Sequence, residues 1–272
     1  MMLRNNTLPP FIHARKMSSS GAENDDDDME PLNNCISLLH MIRSRVPGSR
    51  KLFWRNVRME CERFHQESLE WSKWRLLAAM QALSIYLIIK VDEGPTEYDN
   101  GLDSLIVAVV VTLATQMGGR VGDATLDNGG LDTRWDNWIF EESKRRLCVI
   151  YQVVDMLVYF QPAGMCHVRQ QAELVIAPLP SKKQLWQAGD GFAWQAESDK
   201  EEAEARVAFA LAANGELARL DLTGLLCITD WTSLHRGRDA GAPAWRTADW
   251  DEWCAGMDEL GGLVMLAASL TA

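Results

Sequence analysis

Apolar residues recur at steps of three and four along most of this chain, the spacing that lines one side of an α-helix. Over residues 32–46, Cys35, Leu38, Leu39 and Ile42 share a side, and Pro47-Gly48 stops the pattern. Over 52–71, Phe53, Val57, Cys61 and Phe64 do the same. Residues 74–91 are apolar nearly all round, which predicts a central helix ended by Gly94-Pro95. The Val-rich stretch 102–117 has the composition of a strand. It exceeds a usual strand in length and no partner strand is evident, so a helix closed by Gly118-Gly119 is expected.

Residues 120–132 are polar and Gly-rich and read as a loop. Thr133-Arg134-Trp135-Asp136 has the form of a capping box with Thr133 as N-cap. The helix it opens, over 134–160, is the longest expected, with Trp138, Leu147, Ile150, Val154 and Leu157 as its apolar face. Glu141–Arg145 and Glu142–Arg146 are spaced to pair along its surface, for a few tenths of a kcal/mol each. Ser181-Lys182-Lys183-Gln184 is a second capping box, opening a short helix with Leu185 and Trp186 that Gly189 closes. Ser198 to Glu201 reads as a third, opening an acidic helix that carries Val207, Phe209 and Leu211. A turn at Asn214-Gly215, a helix over 217–230, a loop over 235–246 and a last helix over 249–270, interrupted by Gly261-Gly262, complete the chain. The expected fold class is all-α: an irregular multi-helix domain of about eight or nine helices, without internal repeats and with no strand assigned.

Ahead of the helices, Leu8-Pro9-Pro10-Phe11-Ile12 is apolar and held extended by two prolines, so it is expected to lie across a groove. The polar and acidic stretch 18–30, centred on Asp25-Asp26-Asp27-Asp28, has little to bury and predicts a mobile linker. The expected organisation is an extended segment and acidic linker over 1–31, then one helical domain over 32–272.

Composition narrows the function classes. The chain has 272 residues, 47% hydrophobic, enough for a sizeable core. Its formal net charge of −11 repels DNA unless a basic patch is set apart. Arg43, Arg45, Arg50, Lys51, Arg55 and Arg58 are too dispersed to form one and read as solvated surface. No two of Cys35, Cys61, Cys148, Cys166, Cys227 and Cys254 have zinc-site spacing, and they sit among apolar residues as buried free thiols do. The first fifteen residues lack a signal-peptide apolar run, and a reducing compartment is expected. The longest apolar run, 105–114, is about half the ~20 residues that cross a bilayer, so no membrane span is expected.

Candidate chemistry is sparse. Asp26-Asp27-Asp28-Met29-Glu30 has the pattern by which helical terpene synthases hold magnesium, but it precedes the first expected helix and has no second motif to accompany it. Gly118-Gly119-Arg120-Val121-Gly122 follows a helix and lacks the Lys-Ser/Thr of a phosphate loop. His13, His40, His65, His167 and His235 are isolated from one another, and Cys166-His167, as neighbours, point apart. Of eleven tryptophans, Trp71/Trp74, Trp135/Trp138 and Trp250/Trp253 are spaced to share a helical face, which fits an aromatic core. No residue is assigned a catalytic, cofactor-binding, metal-binding or DNA-contacting role, no cofactor is expected, and the chain is not expected to be an enzyme.

Four segments together carry a resemblance. They are Met2-Leu3-Arg4 with Leu8-Pro9-Pro10-Phe11-Ile12-His13; Trp138-Ile139-Phe140-Glu141-Glu142-Ser143 with Arg145-Arg146; Leu179-Pro180-Ser181-Lys182 with Leu185-Trp186-Gln187-Ala188; and Asn214-Gly215-Glu216-Leu217, then Trp253-Cys254-Ala255-Gly256-Met257-Asp258 with 261–266. In this order, over nearly the whole chain, they resemble the regulatory region of fungal binuclear zinc-cluster transcription factors, particularly those of secondary-metabolite gene clusters. The resemblance implies an all-helical regulatory domain, a nuclear location and a role in transcription. Its partners would be other transcription regulators, in a homo- or heterodimer, or the transcription machinery. Such factors begin with six closely spaced cysteines holding two zinc ions. Here the likeness starts at Met2 and no cysteine matches, so no direct DNA binding is expected and action through partners is. The alternatives are a truncated remnant or incomplete gene model of a full DNA-binding activator and, from another class, a helical enzyme or ligand-binding protein.

Overall fold

The computed structural model describes residues 8–18, 23–43, 46–94, 101–119, 130–158, 174–176, 178–203, 207–212, 214–221 and 246–271. The chain divides into two compact units, Met1–Asp123 and Ala124–Ala272. That boundary differs from the single domain over 32–272 expected from sequence.

The first unit is helical: α1 (Ala14–Ser18), α2 (Glu23–Arg43), α3 (Ser49–Glu67) with a 3-10 turn (Ser68–Glu70), α4 (Lys73–Glu93) and α5 (Leu102–Gly119). Its centre is α4, buried continuously from Leu76 to Tyr86 and packed against α2 and α5. By length and composition alone α4 passes for a membrane span, but most of that surface faces the unit's own core. Ser72 starts α4, its hydroxyl accepting from Arg75 N–H at 3.1 Å, and Gly94, at φ 68°, ends it. The Val-rich α5 is a helix, as its length argued, with Ile106, Val109 and Leu113 buried.

The acidic stretch is not a linker where the structure describes it. Residues 23–43 form one helix through Pro31. Acidic residues in a first turn suit the helix dipole. Further along, Glu30 pairs with Arg63 at 2.9 Å and with Arg75 at 3.1 Å, and Asp28 accepts from the Ser72 hydroxyl. Those partners offset the repulsion that makes an isolated acidic run unfold. The segment before it folds in as well. Phe11 and Ile12 are 2% and 3% exposed, the Ile12 N–H closes a turn onto the Pro9 carbonyl at 3.0 Å, and buried Gln81 donates to the Phe11 carbonyl at 2.9 Å.

The second unit contains α6 (Leu131–Val158), β1 (Leu174–Ile176), α7 (Lys183–Trp186), α8 (Gly191–Ala203), β2 (Val207–Ala212), β3 (Leu217–Asp221), β4 (Arg246–Thr247), α9 (Trp250–Cys254) and α10 (Leu260–Thr271). The strands make one antiparallel sheet in the order β1-β2-β3-β4. The described residues thus form ten helices and a small sheet: mostly helical, but not all-α.

Several boundaries correct the sequence reading. Val207, Phe209 and Leu211 lie on β2, and Leu217 opens β3. Gly215, at φ 78°, makes the β2–β3 turn, with the Asn214 side chain accepting from Glu216 N–H at 3.0 Å. Ser198 sits inside α8, and Thr133 falls inside the first turn of α6, its N–H bonded to the Gly130 carbonyl at 3.1 Å. Ser181 does not cap α7, whose N-cap is Lys182, and α7 ends before Gly189. The last helix breaks over residues 255–259, and Gly261 and Gly262 belong to α10. Most of 120–132, 222–230 and 235–246 lies outside the described residues.

Candidate functional site

Among the described residues of the second unit, the most concentrated chemistry is a buried charge cluster on α6. Glu142 and Arg146 are one helical turn apart and both fully buried, with Arg146 Nε donating to Glu142 Oε1 at 2.9 Å. Arg145 Nε donates to the other oxygen, Oε2, at 2.8 Å. The backbone N–H of Ser181, in the stretch before α7, also donates to Glu142 Oε1, at 2.9 Å. Arg146 Nη1 reaches Asp258, between α9 and α10, at 2.6 Å, and its guanidinium lies 4.1 Å from the ring centre of Trp186 on α7. Asp258 accepts in turn from Leu260 N–H at 2.9 Å, at the start of α10. Glu141 pairs with Lys144 at 3.0 Å, not with Arg145 as its spacing suggested.

Residues 138–146, 179–188 and 253–266, three of the stretches on which the sequence resemblance was drawn, meet here. Lys183 N–H bonds to the Gly256 carbonyl at 2.8 Å, and a Cβ on Gly256 would stand 2.8 Å from the Lys182 side chain, so that backbone approach requires glycine. A closed cluster of this kind admits no substrate. It sets the positions of α6, α7, α9 and α10 relative to one another. Removing one partner of such a pair typically costs about 3–5 kcal/mol.

Outside the cluster, a surface pocket of about 360 Å³ is lined by Lys182, Leu185, Glu197, Lys200, Glu252 and Gly256, among others. Its charges are mixed, Lys200 being engaged by Glu197 at 2.6 Å. Among the described residues, no group of three or more His, Cys, Asp or Glu could hold a metal ion.

The motifs singled out from sequence resolve as follows. In the acidic run, Asp28 and Glu30 are engaged by Ser72, Arg63 and Arg75, while Asp27 is exposed. His13 is buried in the opening segment, and His40 and His65 are exposed. Cys166, His167 and His235 lie outside the described residues, as do 120–122 of the Gly-rich motif. Cys35, Cys61, Cys148 and Cys254 are free thiols. Burial pushes the Cys35 and Cys61 thiols up to about 12 and Cys148 up to about 11, which keeps them protonated and unreactive. Trp135 is buried, Trp138 stacks obliquely on Trp194 at 5.9 Å, and Trp250 meets Trp253 edge-on at 5.9 Å. Trp71 precedes α4, so it does not share a helix with Trp74; it packs against Phe64 and the guanidinium of Arg75.

Sequence reasoning had Glu142 and Arg146 paired on a surface; their burial and their partner Asp258 carried no local signal. Comparison with known protein families, curated proteins and solved structures finds no match.

Proposed function

We propose that this chain regulates transcription of a fungal biosynthetic gene cluster, acting in the nucleus through partner proteins. The observation that supports this reading is the convergence of three resemblance-bearing segments on one buried junction, Glu142–Arg146–Asp258 with Ser181 and Trp186. The acidic balance and the lack of zinc-cluster spacing among these cysteines support a reading in which these residues do not themselves contact DNA.

Chromatin immunoprecipitation of the tagged full chain, paired with a gel-shift assay on the same promoters, tests this reading. The expected result is enrichment at promoters of one gene cluster in cells and no shift of naked promoter DNA by purified chain. Absence from chromatin would overturn it. A shift of naked DNA would overturn the assignment of DNA contact to a partner.

A further inference from the structure

We draw no further inference here: the strongest candidate, the surface pocket of the second unit lined by Lys182, Leu185, Glu197, Lys200 and Glu252, carries nothing, because Glu197 already engages Lys200, Arg219 engages Glu252, and nothing in the structure shows what would occupy it.

Discussion

Arg146 is large, charged and fully buried, and its nitrogens reach a carboxylate on its own helix and another 112 residues along the chain. Replacing it by methionine keeps most of the volume but strands Glu142 and Asp258 in the interior. Arg146→Met should cost about 3–5 kcal/mol, read as a lower denaturation midpoint of the full chain. A midpoint within about 0.5 kcal/mol of the parent, the range of an ordinary surface change, would contradict the burial. The thiols give a second residue-level prediction. Cys35 and Cys61 are held protonated up to about 12, against 9.0 for an unburied thiol. Their contribution to stability is complete below pH 9. It declines as pH rises toward 12, because the unfolded chain releases protons that the folded chain keeps. The slope is about 1.4 kcal/mol per pH unit per thiol. Melting temperature should fall above pH 9, and a Cys35→Ala/Cys61→Ala variant should show a flatter decline. At this scale the sequence showed that these cysteines sit among apolar residues, and that Glu142 and Arg146 are a turn apart. It could not show Asp258 arriving from the far end of the chain, because nothing in a helical period marks a contact of that range.

Among the elements, legibility follows locality. The helices of the first unit announced themselves through apolar steps of three and four and through Gly48 and Gly94, both with positive φ. The sheet did not. β2 reads Val-Ala-Phe-Ala-Leu-Ala, in which every residue is apolar, so period two is hidden and alanine favours the helical reading. Its partner β1 is far off in sequence, and only Asn214-Gly215 signalled the hairpin. Gly215→Ala, at φ 78°, should cost about 1 kcal/mol in chemical denaturation, and an unchanged midpoint would remove the hairpin's dependence on that turn. The acidic run was misjudged for a related reason: its arginine partners, Arg63 and Arg75, lie on other helices. The opening segment was expected to lie across a groove, and the structure buries Phe11 and Ile12 with a hydrogen bond from Gln81. Full burial of such side chains is worth about 1.5–3 kcal/mol each. Deleting residues 1–13 should lower the melting temperature by several degrees, and an unchanged melt would show that the segment does not stabilise the body.

At the scale of the whole molecule, the chain is two compact units, each with its own core. A fragment ending at Asp123 should therefore show helical circular dichroism and a cooperative melt of its own, whereas a broad, non-cooperative melt would mean that the first unit depends on the second. Neither unit's described residues present a metal cluster, and the most concentrated chemistry, around Arg146, is closed to solvent. The proposed function rests on surfaces, and so on partners. Transcript profiling after deletion of the gene, under conditions in which clustered biosynthetic genes are expressed, tests that assignment most directly. Regulation of a cluster predicts that one contiguous set of genes changes expression together while the remaining transcripts hold. An unchanged transcript profile would contradict it.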